Sequence, residues 1–308
     1  MKRLIKTLLL LVVTLNSFGQ FDATTSLYLL NPMIINPAYA GSREALSLST
    51  FYHKKWTGVD GAPTSVTFSA DVPLADQKLG LGLLIVNDRI GVTKENQFVT
   101  SYAFRIFMGE STLSFGLGAG VVLTNTAFSD LIVLDPGDEV YLADSRTFAV
   151  PNFNFGIYYN NRNYYAGISI PRFLNYSFDY GKNKYVIDND FSNYNYMLYT
   201  GYNLIASPNF GFYPSVLLRY SQIPADNTLQ YDLNAQFCLF EKFWLGTSYR
   251  NNRSVAALFQ FQPNNQLKIA YGYDFETSKL GRYSNGSHMI MLRFDFRYNV
   301  DAVSPLIF

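Results

Sequence analysis

The sequence predicts an all-β chain: a transmembrane antiparallel up-and-down β-barrel of about 14 strands, with short periplasmic turns and longer extracellular loops. Three observations carry that expectation. Segments of roughly ten residues alternate apolar and polar side chains. Aromatic residues gather at the ends of the apolar faces, and no helical period continues past the N-terminal segment. Composition agrees. Of 308 residues, 24 are Tyr, 26 are Phe and 21 are Gly, while only 15% are charged. With 48% hydrophobic residues, the chain is too apolar for disorder and too polar for a bundle of membrane helices. Lys and Arg number 24 against 23 Asp and Glu. No basic cluster stands out, which argues against a nucleic-acid partner.

Residues 1–19 read as a signal peptide. Lys2, Arg3 and Lys6 precede the apolar run Leu8 to Val13, and the small residues Ser17 and Gly19 stand just before Gln20, the expected mature start. Thr14, Asn16 and Ser17 break the run before it reaches the roughly 20 residues a spanning helix needs. Cys238 is the sole cysteine, so hydrogen bonds and packing must hold the fold without an intramolecular disulfide. Residues 20–44 form an expected periplasmic leader. Its Asn31-Pro32 and Asn36-Pro37 dipeptides initiate turns and interrupt strand pairing, which places it at the periplasmic mouth of the barrel or inside it. The barrel itself is expected over 45–300, with a C-terminal tail at 301–308.

In the segment Thr228 to Leu239, one face carries Leu229, Tyr231, Leu233, Ala235, Phe237 and Leu239. The other carries Gln230, Asp232, Asn234, Gln236 and Cys238. Successive strand side chains point to opposite faces, so a period of two marks a strand. Further on, Leu267, Ile269, Tyr271, Tyr273 and Phe275 oppose Lys268, Ala270, Gly272 and Asp274, and Leu292, Phe294, Phe296 and Tyr298 oppose Arg293, Asp295 and Arg297. A soluble sandwich would bury the apolar face and wet the polar one. Aromatics at the strand ends instead fit the interfacial girdles of a membrane barrel, and the mixed polar faces fit a hydrated or plugged lumen. Tight links are expected near Asp76, Gly109 to Ser111, Asn160 to Arg162, Ser207 to Asn209, Glu241 and Pro263 to Asn265. The longest connections at the other end are expected at about Ala127 to Thr147, Arg172 to Asp190 and Glu276 to Ser287.

No catalytic, cofactor-binding or metal-binding residue is expected. His53 and His288 lie near outer strand ends, but no G-x-S-x-G elbow, H-E-x-x-H pair or paired cysteines accompany them. Asp130, Asp135, Asp138, Glu139 and Asp144 lack the register of a calcium loop and read as a solvated acidic loop. Gly80-Leu81-Gly82 and Gly116-Leu117-Gly118-Ala119-Gly120 lie inside alternating strands. Glycine there lets a strand curve or another chain approach closely. The lumen-facing charges are Arg219, Asp232, Arg250, Lys268, Asp274, Arg293, Asp295 and Arg297. Ionised groups inside a barrel must pair or meet water, so these form a salt-bridged interior or line a seat for a guest.

A series of short motifs runs through the mature chain. It begins with Asn31-Pro32 and Asn36-Pro37-Ala38-Tyr39-Ala40-Gly41, followed by Trp56, Gly58 and Gly61-Ala62-Pro63-Thr64. Gly80-Leu81-Gly82, Asn87-Asp88-Arg89-Ile90-Gly91, Tyr102-Ala103-Phe104-Arg105 and Leu113-Ser114-Phe115-Gly116 come next. Tyr165-Ala166-Gly167-Ile168-Ser169-Ile170-Pro171 and Gly286-Ser287-His288 complete it. In this order and span the chain resembles the PorP/SprF family of the Bacteroidetes type IX secretion system. The resemblance marks Asn36, Pro37, Ala38, Tyr39, Gly41, Trp56, Gly61, Pro63, Asp88, Gly91, Gly286, Ser287 and His288 as family-motif positions and candidates for partner binding. It implies an exported, non-enzymatic outer-membrane barrel without a cofactor. Its partners would be type IX secretion components, the C-terminal domain of a secreted surface protein such as a gliding adhesin, or both, with outer-membrane lipid around it. A passive porin or transporter for small solutes is the alternative function for such a barrel.

Overall fold

The structure is a computed structural model that describes residues 26–74, 77–127, 147–179, 184–188, 194–207, 209–221, 228–251 and 254–296. The expected signal peptide, the acidic loop, Arg297 and the C-terminal tail lie outside the described residues. Seven strands follow one another from the leader: β1 (Leu46–Lys54), β2 (Thr64–Leu74), β3 (Leu79–Ile90), β4 (Thr93–Met108), β5 (Ser111–Thr126), β6 (Phe148–Asn160) and β7 (Tyr164–Ile170). The short strands β8 (Asn175–Asp179) and β9 (Lys184–Asp188) pair with each other in a separate hairpin. Then come β10 (Tyr196–Tyr202), β11 (Leu204–Ser207), β12 (Phe210–Ser221), β13 (Thr228–Leu239), β14 (Phe243–Arg250), β15 (Ser254–Phe261), β16 (Leu267–Glu276) and β17 (Ser287–Phe296).

Each barrel strand pairs antiparallel with its neighbours, β1 pairs with β17, and β10 pairs with both β7 and β12. The ladder therefore closes on itself through β7, β10 and β12. β10 and β11 lie end to end along β12 on either side of Asn203 and count as one barrel strand, giving a closed 14-strand cylinder. Closure is what lipid demands, because a backbone N–H or C=O at an open edge would find no water in the hydrocarbon layer. Among the described residues no helix is long and apolar enough to cross a membrane; the strands do the crossing.

The alternation is inverted relative to a soluble protein. On β13, Leu229, Leu233 and Phe237 are exposed, whereas Asp232 is fully buried. Phe107, Tyr164, Phe210 and Phe243 form an exposed aromatic row at one end, and Tyr52, Tyr196, Tyr220, Tyr249 and Phe275 form another at the opposite end. Leu117, Ile168, Leu233 and Leu292 lie between them. Two girdles flanking an aliphatic band match the interfaces and core of a bilayer.

The tight links at Gly109 to Ser111, Asn160 to Arg162, Glu241 and Pro263 to Asn265 fall at one end, where β1 begins and β17 finishes with Leu46 opposite Phe296; Asp76 and Pro208 lie outside the described residues. At the other end the chain is less uniform than the expected rhythm of short and long. β3 and β4 are joined by Gly91-Val92 alone, a connection as tight as those opposite. Gly91 stands at φ +57, the left-handed backbone that a two-residue hairpin requires. The expected loop Arg172 to Asp190 contains the β8–β9 hairpin.

Candidate functional site in the plugged lumen

The leader residues from Ser26 onward enter the cylinder and cross it. Three single-turn 3-10 segments make this plug: Ser26–Leu29, Pro32–Ile34 and Pro37–Tyr39. The last two share one sequence device. Asn31 and Asn36 stand in extended backbone just before the proline, and each side-chain oxygen accepts from the amide two residues on, that of Met33 at 3.2 Å and that of Ala38 at 2.9 Å. Proline suits the first turn position because its φ is preset and its missing N–H would have been unpaired there. The carboxamide nitrogens then bind the barrel wall. Asn31 donates to Ser69 Oγ at 2.8 Å, and Asn36 donates to the Ile157 carbonyl at 3.0 Å and reaches the Ile168 carbonyl and Tyr199 hydroxyl at 3.3 Å. Both asparagines are fully buried, so these partners are needed. Asn36→Ala removes cap and wall bonds together. It is expected to cost about 1–3 kcal/mol, read as a lower urea midpoint for the folded barrel in detergent.

Apolar plug residues pack inward-facing wall residues in three groups. Leu30 meets Phe51, Leu258, Met289 and Met291; Ile35 and Ala38 meet Tyr158, Tyr199 and Leu217; Met33 and Ala40 meet Ala103. Strand glycines make the floor. A Cβ at Gly80 would run into the Ala40 carbonyl, one at Gly116 into the backbone of Pro37 and Ala38, and one at Gly156 into the Asn36 side chain. The chain that approaches these glycines is the protein's own leader.

The plug is tied at the tight-turn mouth. Arg105, only 4% exposed, donates to the Ala40 carbonyl at 2.5 Å and the Gln77 carbonyl at 2.9 Å. Asp71 accepts from the Gly41 amide at 2.9 Å and pairs with Arg43 at 3.7 Å. Arg43 also donates to Ser47 and to the Leu30 carbonyl, both at 3.1 Å, and lies 5.4 Å over the Tyr39 ring. Ser47 donates to Asp295 at 2.6 Å, and Asp295 pairs with Arg293 at 3.2 Å. Tyr39 in turn packs edge-on against Tyr158, 5.4 Å between centroids.

Higher in the lumen, Asp232 is the hub. Register sets Asp232 of β13 directly opposite Arg250 of β14, and the two meet through paired bonds of 3.1 Å. Arg219 of β12 reaches the same carboxylate at 2.5 Å, and the Tyr28 hydroxyl of the plug donates to it at 3.3 Å. Asn234 completes the group by donating to the Tyr28 oxygen at 2.9 Å. Lys268 and Asp274 are also buried on the inner face, Lys268 lying 4.7 Å over the Trp244 ring.

The family-motif positions divide into two groups. Asn36, Pro37, Ala38, Tyr39 and Gly41 belong to the plug. The rest stand at the long-loop rim, where two loops brace each other. The Trp56 amide donates to Ser287 Oγ and its indole Nε1 to Glu276, both at 3.2 Å. Thr57 donates to the Gly286 carbonyl at 2.8 Å, and Asn285 returns a bond to the Thr57 carbonyl at 2.7 Å. Gly286 stands at φ +80 with the Tyr273 hydroxyl where a Cβ would lie. Gly61 accepts from Gly91 at 2.8 Å, and Pro63 accepts from Lys55 at 2.9 Å. Asp88 occupies the same rim, in register with Ser65 and Glu95. His288 turns outward, its Nδ1 2.8 Å from the Tyr271 hydroxyl, whereas His53 is 1% exposed on the inner face. The two histidines occupy opposite faces of the wall and share no site.

Sequence reasoning did not single out Asp71, Arg43 or Tyr199. The signal was present for Asp71, which shares the inward parity of Thr67 and Ser69 on β2. The same alternation that marked Lys268 applies to it.

A family profile described as type IX secretion system membrane protein PorP/SprF matches residues 17–294. A search of curated proteins returns no match. Among solved structures, the chain is similar to the toluene transporter TbuX of Ralstonia pickettii, with 9% identity and a TM-score of 0.51 over 91% of this chain and 96% of that one. The monoaromatic hydrocarbon channel CymD is 12% identical, with a TM-score of 0.48 over 92% of this chain and 96% of its own. The outer membrane protein Omp33 of Acinetobacter baumannii is 7% identical, with a TM-score of 0.46 over 83% of this chain and 99% of its own. At such identities the likeness concerns the fold alone.

Proposed function

The chain belongs to the PorP/SprF family of type IX secretion system membrane proteins, and we propose that it acts as a non-enzymatic seat for the C-terminal domain of a secreted surface protein. In this reading the tight-turn end faces the periplasm, and the long-loop rim holds the cargo domain at the cell surface. A gliding adhesin is cargo of that kind. The observation that carries the proposal is the pairing of a closed lumen with a braced rim. The leader fills the passage with buried side chains, while Trp56, Gly286 and Ser287 lock two loops into one surface. Such a rim offers fixed polar groups to a partner, the condition under which matched polar burial gives selectivity.

Affinity purification from outer membranes in mild detergent tests this. The expected result is recovery of a secreted surface protein or a secretion component with the barrel. Recovery of the barrel alone, together with rapid swelling of liposomes that contain it in permeant sugar, would favour a passive porin instead.

A further inference from the structure

On the tight-turn side of the plug the lumen opens into a cavity of about 420 Å3, lined by Tyr213, Gln236, Trp244, Gln260, Lys268 and Arg293 among others. Its charges do not balance locally. Arg293 pairs with Asp295 and Arg43 with Asp71, but Lys268 makes no ion pair among the described residues and is only 9% exposed. In register it stands directly opposite Arg293. Like charges facing each other across neighbouring strands are unfavourable, and a cation so far removed from solvent calls for a counter-charge. The cation–π contact with Trp244 supplies only part of that.

The rest of the lining indicates what carries the missing charge. Gln260 donates to the Gln236 carbonyl oxygen at 3.0 Å, which leaves the Gln236 NH2 and the Gln260 oxygen available as a donor and an acceptor side by side. That pair matches the C=O and N–H of a peptide group. Tyr213 and Trp244, with centroids 4.7 Å apart, give an aromatic wall next to it. A site for a bare inorganic anion would present clustered N–H donors rather than carboxamides and rings. The volume lies within the range of pockets that enclose small ligands and so fits a few residues, not a folded domain.

We propose that this vestibule binds a carboxylate-bearing polypeptide segment presented from the tight-turn side, with its carboxylate on Lys268 and its backbone on Gln236 and Gln260. The proposal rests on the reading of the barrel as a partner of proteins, but it concerns the opposite mouth from the cargo seat.

Calorimetric titration of the full-length barrel in detergent tests it, using Tyr-Asp-Tyr capped at both ends and the matching Tyr-Asn-Tyr. The Asp peptide is expected to bind about tenfold tighter or more, as a buried charge-assisted contact implies. Lys268→Gln should abolish that preference and Lys268→Arg should keep it. Lys279→Gln, in the loop at the far end, should leave it unchanged. Folding of each variant is checked by its heat-dependent gel mobility. Equal binding of the two peptides, binding of neither, or a preference that survives Lys268→Gln would overturn the proposal. So would displacement of the peptide by an equal concentration of inorganic phosphate, which would mark a site for free anions. Retained peptide selectivity with no surface protein in the affinity purification would contradict the cargo seat and leave this site standing.

Discussion

Replacing Asp232 with alanine is expected to destabilise the barrel by about 3–5 kcal/mol, the cost of breaking a buried ion pair from one side. Asp232 is fully buried and holds Arg219, Arg250 and the plug's Tyr28 at once. Alanine leaves two guanidinium groups facing each other in the lumen with nothing between them. The damage should spread to the leader, because the Tyr28 hydroxyl loses its acceptor. Urea titration in detergent, followed by the mobility difference between folded and unfolded barrel, reads the change. Asp232→Asn keeps the shape and some hydrogen bonds but not the charge, and should fall between alanine and wild type. A loss below about 1 kcal/mol for alanine, the scale of one ordinary hydrogen bond, would mean that water already solvates both arginines.

Gly116→Leu is expected to unseat the plug. The backbone of Pro37 and Ala38 occupies the space a Cβ would need, and a strand ten residues or more in length, paired on both sides, cannot retreat to make room. The leader is the softer partner. Overpacking costs roughly 1–3 kcal/mol, so the unseated fraction should rise about fivefold to 150-fold. In planar bilayers the wild-type barrel should show no sustained open steps, and the variant should show them. Gly118→Leu is the control: a Cβ there meets Asn154 rather than the leader, so that variant should strain the wall without opening the passage. Equal conductance from both variants would remove the leader from the account of closure.

The wall of the barrel was legible because its code is local. Alternation on β13, β16 and β17 assigned the faces of the described residues correctly, from Leu233 outward to Asp232 inward, and turn residues marked the tight links at Gly109, Glu241 and Pro263. What turn residues do not carry is the end of the barrel at which they lie. Gly91-Val92 makes as tight a link at the long-loop end as any opposite, since hairpin chemistry is the same on both sides of a membrane. The β8–β9 hairpin escaped because five-residue strands embedded in Asn, Asp and Lys give too short an alternation to separate from loop.

The interior was legible only in its parts. Asp232, Arg219 and Arg250 could be read one by one as inward charges, yet their meeting depends on register, which places Asp232 against Arg250. The Asn-Pro pairs announced turns. Their carboxamides, however, bind Ser69, Ile157 and Ile168, far along the chain, and no local pattern encodes such partners. Glycines at 80 and 116 signalled a close approach without saying that the approaching chain is the leader, and Gly156 was not singled out at all. At the rim, Trp56 and Gly286 stood out as motif residues, but the bonds joining their loops emerge only once β1 and β17 are neighbours.

Site-specific photo-crosslinking in living cells tests the central claim most directly, with the crosslinker placed at exposed Asp60 on the long-loop rim and, in parallel, at exposed Glu110 in a tight turn. The account predicts that Asp60 traps the C-terminal region of a secreted protein, that Glu110 does not trap that region, and that trapping at Asp60 stops when secretion is blocked. Capture of the same cargo region from Glu110 alone, or of no polypeptide from Asp60 while cargo is displayed normally at the cell surface, would contradict it.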